Sequence, residues 1–365
     1  MEKIAVIYGG KSVEHDISII TALQTMNILS KRYECVPIYI DGQGRWWSGK
    51  NLKNIGIYLD FEKRVKGKKQ VFADFNKRGF LIGKKFLKPA ICFVCCHGLN
   101  GEDGTVSGFL ELLDIPYSCS GVLSSALSMD KITTKILLEK YDIRNAKFCY
   151  FEEADYLNDK NSVLEQINRI GFPLIIKPAN LGSSVGISVV RNSEQLDVAI
   201  EIGLNFDKKI LVEEYLENAR EFNCACFTYN GEYFPSNVVE VTKGDIFTFE
   251  EKYIENEGKK SGEIERKIID DVKELTKRVY KLNQCFGIVR IDYLYKNGEI
   301  YVNEINNIPG SLASGLFTDN YEEVLGLVIE ESLEREKRKQ EIKYSFDSDV
   351  LKVFERTLSS FKMKK

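Results

Sequence analysis

Short apolar runs alternate with a helical stretch in the first third of the chain. Residues 3–8, 34–40 and 90–96 have the composition of buried β-strands, and a helical pattern near 17–30 separates the first two. Strands that alternate with helices are typical of a parallel sheet. The pattern therefore predicts the α/β fold class for the N-terminal part of the chain.

The pattern changes to paired strands after a helix that begins near 128–131. Residues 172–177 and 185–190 form two apolar runs joined by a loop of small residues, which predicts a hairpin. The remaining predicted elements are strands near 147–150, 222–228, 286–295 and 299–305 and a charged helix near 322–341.

The C-terminal stretch 347–362 carries apolar residues at helical spacing. We expect the resulting helix to pack one face on the body of the protein or on a partner subunit. The residues of this face are Val350, Leu351, Phe354, Leu358 and Phe361.

Composition narrows the class of partner. The 365 residues include 51 Lys and Arg against 54 Asp and Glu, so the net charge of −3 provides no basic field for nucleic acid or anionic lipid. No stretch approaches the roughly 20 apolar residues of a membrane-spanning helix. We therefore expect a soluble protein whose partners are small molecules.

The nine cysteines are an odd number, and several lie in apolar runs such as 91–96. This distribution favours buried, reduced thiols over a disulfide framework and predicts a cytoplasmic protein. Cys92 with Cys95, or Cys224 with Cys226, could be metal pairs. Strand-like flanks and a total of two histidines argue against zinc.

Two segments could bind a phosphate group. The Gly-Lys-Ser at 10–12 resembles the end of a P-loop, but Ala5 stands where that loop requires its first glycine, so the motif is excluded. The loop at 177–187 is the alternative, because its Gly and Ser residues permit close backbone approach and Lys177 supplies a positive charge. A flexible surface hairpin would have the same composition, so this segment alone does not decide.

Two strands near the C-terminal end carry charged residues on one face. Arg290 shares a face with Asp292 on the first strand, and Glu304 shares one with Asn306 on the second. A three-residue loop at 296–298 places Arg290 opposite Glu304 and so brings the two faces together, whereas a turn of only its last two residues puts Glu304 on the opposite face from Asp292. We predict the three-residue loop.

With that loop, the strand pair gathers oxygen ligands for a divalent cation. Two carboxylates and an amide oxygen, from Asp292, Glu304 and Asn306, suit Mg²⁺. The alternative is a solvated polar face with one salt bridge. The rigid turn that follows, Asn-Ile-Pro-Gly at 307–310, favours the metal site because it offers a backbone N–H at Gly310.

Both histidines, His15 and His97, lie in loops that follow predicted strands. Small ligands of open α/β domains bind at the carboxyl ends of strands. A lone histidine is usually structural, but two so placed favour a site.

Seven motifs along the chain resemble one family closely because they occur together and in order. They are Gly-Gly-x-Ser-x-Glu-His-x-x-Ser at 9–18, His-Gly-x-x-Gly-Glu-Asp-Gly at 97–104, Ser-Met-Asp-Lys at 128–131, Lys-Pro-(x)3-Gly-Ser-Ser-Val-Gly at 177–186, Lys-Tyr at 252–253, Arg-Ile-Asp at 290–292 and Asn-Glu-x-Asn-x-x-Pro-Gly at 303–310. The chain resembles the D-alanine:D-alanine ligase family of the ATP-grasp superfamily from residue 3 to about 335.

The resemblance implies a Rossmann-like N-terminal domain followed by a two-subdomain ATP-grasp fold. We expect domains at 1–128, 129–216 and 217–345 and a tail helix at 346–365. The implied reaction begins when ATP phosphorylates the carboxylate of one D-alanine. The amine of a second D-alanine then attacks the acyl phosphate, giving D-alanyl-D-alanine for peptidoglycan synthesis. Two Mg²⁺ ions, replaceable by Mn²⁺, and a homodimer are also implied.

The resemblance also implies a role for each site residue. Glu14 receives the first ammonium group, His97 lies by the first substrate, and Arg290 with the Gly310 N–H stabilises the oxyanion. The implied metal ligands are again Asp292, Glu304 and Asn306. The implied ATP residues are Lys131 and Lys177 on the phosphates, Ser184 in the hairpin loop, Glu213 on the adenine, Glu214, Tyr215 and Leu216 as the hinge, and Glu221 on the ribose.

The segment 243–261 resembles the mobile lid of this family, in which Tyr253 meets Ser183 and, through it, Glu14. A closing lid would keep water from the acyl phosphate. Lys252 is expected beside the second substrate.

The chain departs from the family pattern at four positions. Ser107 stands where the family often has glutamine, and Phe247 and Phe249 replace tyrosines of the lid. Gly315 stands where the family has the serine that binds the carboxylate of the second substrate. We expect the neighbouring Ser314, together with Lys252, to take that role.

Three alternative functions can be weighed against this one, and the first of them remains open. A sister ligase would join a D-amino acid to another acceptor, such as D-lactate, D-serine or a different amino acid. A nucleotide-binding regulatory module without catalysis would show gaps among the lysines and metal ligands, and none is seen. A nicotinamide dehydrogenase would need a Gly-x-Gly-x-x-Gly turn, which 9–18 lacks.

Overall fold

The computed structural model describes residues 1–64, 67–241, 264–317, 320–343 and 345–362. Its strands are β1 (Lys3–Gly9), β2 (Glu34–Ile40), β3 (Trp46–Ser48), β4 (Lys69–Asp74), β5 (Gly79–Ile82), β6 (Lys85–Leu87), β7 (Ile91–Val94), β8 (Phe148–Glu152), β9 (Leu174–Pro178), β10 (Ser188–Val190), β11 (Lys209–Glu214), β12 (Arg220–Tyr229), β13 (Glu232–Pro235), β14 (Val239–Val241), β15 (Val289–Lys296) and β16 (Glu299–Asn306). Its helices are α1 (His15–Leu29), α2 (Thr105–Leu112), α3 (Val122–Met129), α4 (Lys131–Lys140), α5 (Glu153–Asn158), α6 (Lys160–Asn168), α7 (Leu196–Leu204), α8 (Arg266–Leu282), α9 (Tyr321–Gln340) and α10 (Val350–Lys362).

The first sheet has seven strands in the order β6-β5-β4-β3-β2-β1-β7. β1 pairs in parallel with both β2 and β7, and α1 lies between β1 and β2 in the chain, which confirms the predicted parallel α/β unit. β3 to β6 extend this sheet by antiparallel pairing. β1 is buried over all but its first residue, so its carboxyl end emerges from the core directly into the loop before Glu14.

Two further sheets follow in the chain. A four-stranded sheet has the order β10-β9-β11-β8, and its antiparallel β9–β10 pair confirms the hairpin predicted from the two apolar runs. A third sheet has the order β13-β12-β15-β16, with β14 paired to the side of β12. The predicted strands near 222–228, 286–295 and 299–305 correspond to β12, β15 and β16.

The C-terminal part of the chain returns to the first sheet. The core around β1 and β7 also contains Ile308, Leu312, Val328 and Ile329, which come from the turn after β16 and from α9. Burial of apolar surface is the dominant favourable term in folding. This shared core therefore anchors the turn after β16 against the loops at the carboxyl ends of β1 and β7.

The hairpin between β15 and β16 differs from the predicted one. Lys296 pairs with Glu299, so its turn contains only Asn297 and Gly298. Both turn residues have positive φ, 53° and 82°, which is the geometry that an Asn-Gly turn favours. The prediction of a three-residue loop is wrong.

The charged residues of this hairpin nevertheless share a face, because the ladder contains a bulge. The register shifts by one residue between Asp292 and Tyr293, and Asn303 is the extra residue of β16. A one-residue shift exchanges the two faces of a strand. As a result, Asp292 lies opposite Glu304, and Arg290 lies opposite Asn306 instead of the predicted Glu304. The charged residues still share the face that the metal-site hypothesis requires.

The tail helix α10 forms where the apolar spacing predicted it, but the body of the protein does not cover its apolar face. Leu351 is 81% exposed and Phe354 is 60% exposed. The expectation that this face packs on the body is wrong for this structure. Packing on a partner subunit stays a prediction.

All nine cysteines are free thiols, and eight of them are buried, as predicted.

Among the described residues, no helix is long and apolar enough to cross a membrane.

Candidate active site

Glu14 lies immediately before α1, where the loop after β1 meets two other loops. Its carboxylate accepts a hydrogen bond from the Ser183 hydroxyl in the β9–β10 hairpin. A Cβ added to Gly98 would lie 2.7 Å from a Glu14 carboxylate oxygen, and one added to Gly182 would lie 3.0 Å from the same atom. The two glycines thus allow the loops to enclose Glu14, which is 6% exposed. The structure places Glu14 and Ser183 in contact.

His97 connects three segments and is 2% exposed. Its Nδ1 donates to the Ile308 carbonyl at 2.6 Å, and its Nε2 lies 2.8 Å from the Thr21 hydroxyl, which in turn accepts from the Ser311 N–H at 3.0 Å. Burial, together with the nearby Arg290 charge, lowers the pKa of His97 to about 4 against the opposing effect of the Ile308 carbonyl. The ring is therefore neutral, and Nε2 accepts from Thr21.

Glu102 is a member of this loop cluster to which the sequence analysis gave no role. One of its oxygens accepts from the Gly98 N–H at 2.8 Å and the other from the Ile308 N–H at 3.1 Å. Burial, followed by the Glu14 charge, raises the pKa of Glu102 to about 8. The two neighbouring carboxylates therefore resist carrying two full negative charges at neutral pH. The position of Glu102 within the motif at 97–104 was the sequence feature that could have identified it as a site residue.

Lys131 begins α4 at a defined position because the helix start is capped. The Asp130 carboxylate accepts from the Thr133 N–H at 2.8 Å and pairs with Lys209 at 2.7 Å. Capping of this kind fixes the first turn of a helix. The Lys131 ammonium then donates to the Leu181 carbonyl at 2.7 Å, which places it at the β9–β10 loop. Its contact with nucleotide phosphates stays a prediction.

The β9–β10 loop has an uncommon backbone. Ser183 and Ser184 both have positive φ, 56° and 58°. Non-glycine residues in this region are rare and concentrate at functional sites. The loop thereby presents the Ser183 hydroxyl to Glu14 and the Leu181 carbonyl to Lys131.

Glu213, predicted to contact adenine, lies at the centre of a buried charge cluster. Its carboxylate is 1% exposed and forms ion pairs with Lys135 on one oxygen and with Lys177, at 2.5 Å, on the other. Burial alone would raise the pKa of Glu213, but the two ammonium groups lower it to about 2. Lys135 was missed, although it lies one helical turn after Lys131 on α4.

Lys177 links the second sheet to the third. Its ammonium also donates to the side-chain oxygen of Asn303, the bulged residue of β16, at 3.2 Å. Burial lowers the pKa of Lys177, but Glu213, Glu304 and Glu221 outweigh that effect and raise it. The Lys177 ammonium therefore lies among the residues that were predicted to bind adenine, ribose and metal.

The predicted adenine hinge follows directly from β11. The backbone N–H of Glu214 donates to the Lys147 carbonyl at 2.9 Å, and that of Tyr215 donates to the Pro173 carbonyl at 3.0 Å. Leu216 is 4% exposed. The hinge is thus held between the first strand of the second sheet and the start of β9.

The predicted metal ligands lie on one face of the β15–β16 pair. Asp292 is 3% exposed, and Arg290 donates to it twice, from Nε at 2.6 Å and from a terminal nitrogen at 2.8 Å. Asn306 donates to the same carboxylate at 3.1 Å. With Glu304 opposite, this donor set of hard oxygens fits a divalent cation that retains water or phosphate ligands. Within the described ranges no group of three or more His, Cys, Asp or Glu forms a metal cage.

The turn after β16 reaches back to α1. Ser311, Leu312 and Ala313 have successive positive φ of 49°, 47° and 53°. This left-handed segment follows Gly310 and is tied to the N-terminal domain by the Ser311 bond to Thr21. Ser314 lies at its end and is half-buried. The structure thus brings Gly310 near the His97 loop.

The predicted lid and its residues, Lys252 and Tyr253, lie outside the described residues, as do Phe247 and Phe249. Their assignments stay predictions. Ser107, the departure in α2, is buried and donates to the Gly104 carbonyl at 2.9 Å.

Comparisons with known proteins agree over nearly the whole chain. Residues 3–120 match the family model described as "D-ala D-ala ligase N-terminus" and residues 137–330 match "D-ala D-ala ligase C-terminus". The D-alanine:D-alanine ligase of Thermosipho melanesiensis is 40% identical over 366 residues, covering 97% of this chain and 99% of the relative. That of Bacillus velezensis is 34% identical, covering 93% and 100%.

Solved structures support the same assignment. The D-alanine-D-alanine ligase from Coxiella burnetii matches with a TM-score of 0.78 at 26% identity, covering 93% of this chain and 98% of that one. The VanG D-Ala:D-Ser ligase from Enterococcus faecalis matches with a TM-score of 0.74 at 30% identity, covering 92% and 98%. The Rossmann-like and ATP-grasp arrangement expected from the motifs is confirmed. The chain belongs to the D-alanine:D-alanine ligase family.

Proposed function

We propose that this protein joins two D-alanine molecules at the expense of ATP, through an acyl phosphate, to supply D-alanyl-D-alanine for peptidoglycan. The observation that carries the proposal is the position of Lys177. Its ammonium lies 2.5 Å from Glu213 and 3.2 Å from Asn303, so it spans the gap between the nucleotide residues and the face that carries Asp292 and Glu304. Phosphoryl transfer depends on cations placed in this way around the transferred group.

The nucleotide occupies the space between the second and third sheets in this proposal. Lys131 and Lys177 contact its phosphates, with Ser184 of the hairpin loop beside them. Glu213 meets the adenine, the backbone of Glu214, Tyr215 and Leu216 forms the hinge, and Glu221 binds the ribose. Lys177 then exchanges part of its interaction with Glu213 for the phosphate oxygens.

Asp292, Glu304 and Asn306 would hold Mg²⁺, with two ions as the proposed number and Mn²⁺ as a substitute. The bound cations would neutralise charge on the nucleotide phosphates. Arg290 holds Asp292 in a bidentate pair. This pair keeps both side chains in place on the same strand face.

The first D-alanine lies between the Glu14 loop and the turn after β16. Its ammonium pairs with Glu14, and this positive charge also favours ionisation of the nearby Glu102. Arg290 and the Gly310 N–H stabilise the oxyanion that forms when the amine of the second D-alanine attacks. His97 contributes by holding the Ile308 carbonyl, and therefore the Gly310 turn, beside the first substrate.

The second D-alanine places its carboxylate against Lys252 and Ser314, and Tyr253 of the lid closes on Ser183. We also propose the domain bounds 1–128, 129–216, 217–345 and 346–365, a homodimer and a cytoplasmic location. The buried free thiols support a reducing compartment. The exposed apolar face of α10 supports contact with a second subunit.

The test is phosphate release by the purified protein with ATP and Mg²⁺, with the product identified by mass spectrometry. D-Alanine alone should give D-alanyl-D-alanine. Parallel reactions that add D-serine or D-lactate address the sister-ligase alternative, which Gly315 keeps relevant because it offers no side-chain donor. A mixed product formed in preference to the D-alanine dimer would transfer the assignment to a sister ligase.

A further inference from the structure

A cavity lies in the N-terminal domain, apart from the candidate active site. Its volume is about 470 Å³, within the range of small-molecule sites. It lies between the end of β1, strand β4 and helix α2, and its walls include Lys11, Ala73 and Val106. Neither Glu14 nor any residue proposed to bind nucleotide, metal or D-alanine lines it.

The walls of this cavity are mainly apolar and aromatic. Trp46 and Phe109 pack against each other in one wall, with ring centroids 5.2 Å apart and ring planes tilted by 57°. Phe72 and Leu99 also line it, and they remain 57% and 51% exposed. Large apolar side chains that stay exposed around a concavity mark a ligand site more often than a defect in the core.

The charge of the lining has one sign. Among the lining residues, Lys11 is the only lysine or arginine, and the lining contains no aspartate or glutamate. The Lys11 side chain packs over Gly44, because a Cβ added to Gly44 would lie 2.9 Å from Lys11 Cε. Among the residues that the structure describes, Lys11 has no ion-pair partner.

The rim beside Lys11 is rigid. The Asp41 carboxylate accepts from the Arg45 N–H and the Gln43 N–H at 2.9 Å, and also binds the Arg45 guanidinium and the Trp47 indole. These bonds lower the pKa of Asp41 against the effect of burial. The loop that carries Gly44 is therefore preformed, and the cavity does not depend on a mobile segment.

We propose that this cavity binds a small molecule with a flat apolar body and one negative charge beside Lys11, such as an aromatic carboxylate or sulfonate. The apolar body packs against the wall that Trp46 and Phe109 form, and the anion meets the Lys11 ammonium at the mouth. The loop that forms one wall continues from Lys11 into Glu14, so the two sites share a wall but not their lining.

The test uses the fluorescent dye 8-anilinonaphthalene-1-sulfonate and its neutral counterpart N-phenyl-1-naphthylamine with the full chain. The change Ala73→Trp fills the cavity, with Thr105→Phe as a second filling variant, and Lys11→Met removes the cation. We expect the filling variants to abolish a saturable binding event that wild type shows. Loss of one charge-assisted contact should weaken the anionic dye about tenfold in Lys11→Met. Binding of the neutral dye should stay within about twofold.

Two controls separate this site from others. Dye that binds the exposed face of α10 gives the same signal in wild type and in the filling variants. The signal of the cavity is therefore the difference between wild type and the filling variants. ATP with D-alanine should not displace the dye from the cavity. Displacement by ATP, equal binding to wild type and both folded filling variants, or equal losses of both dyes in Lys11→Met would each overturn the proposal.

Discussion

Replacing Lys135 by methionine removes one of the two ammonium groups that hold the buried Glu213 carboxylate. The pKa of Glu213 is lowered from 4.5 to about 2, because Lys135 and Lys177 overcome the opposing effect of burial. That difference corresponds to about 3 kcal/mol in favour of the charged form. Burial lowers the pKa of Lys135 in turn, so desolvation of its ammonium group offsets part of this gain. Since Lys177 also remains in the variant, we expect Lys135→Met to lower the free energy of unfolding by about 1–2 kcal/mol.

The pH dependence has a defined sign. The pKa of Glu213 is lower in the folded protein, so its contribution to stability is present above pH 4.5 and is lost as the pH falls toward 2. The stability difference between wild type and Lys135→Met should therefore be full at pH 7 and should shrink as the pH falls through this window.

The assay is urea unfolding followed by circular dichroism, with hydrogen exchange measured on β9 and β11, which carry Lys177 and Glu213. Lys140→Met is the matched control, because Lys140 is an exposed lysine of the same helix. In a Glu213→Gln background, Lys135→Met should cost less than about 1 kcal/mol, since the charge it neutralises is absent. An unchanged urea midpoint in Lys135→Met, or the same loss in both backgrounds, would refute the reasoning.

Three further predictions concern catalysis. Glu304→Gln should leave the urea midpoint near wild type but lower kcat by about a hundredfold or more, because one ligand charge is lost at equal volume; wild-type turnover contradicts the metal assignment. Lys252→Ala or Tyr253→Phe should reduce ligation more than nucleotide binding measured by calorimetry, and a loss of ATP affinity alone argues against the lid assignment. Ser314→Ala should raise KM for the second D-alanine about tenfold, for a lost hydrogen bond to a carboxylate, with little change for the first; normal kinetics for both substrates removes Ser314 from the acceptor site.

Local patterns were enough for most secondary structure. The apolar runs at 3–8 and 34–40 formed a parallel pair, and the small-residue loop near 177–187 formed a hairpin, because each pattern matches one backbone period. The tail shows the limit of such patterns. Helical spacing predicted α10, but it carried no information on which surface, if any, covers the apolar face.

The phosphate-binding roles of Lys131, from the family resemblance, and of Lys177, from its loop, stay predictions. The structure places Lys131 against the β9–β10 loop and Lys177 against Glu213. Lys135 and Glu102 were missed, because burial turns an ordinary lysine or glutamate into a defined partner only after distant elements pack around it.

The amino-acid sequence by itself determined which side chains are available and which neighbours along a strand share a face, since alternation in a strand is a local property. Only the tertiary structure decided that Asp292 meets Glu304. The Asn-Gly turn favours its own two-residue geometry, which would have separated the two carboxylates. The bulge at Asn303 restores their common face, and Lys177 binds the bulged side chain from another sheet. A register change of this kind depends on contacts between residues far apart in the chain, which no local pattern contains.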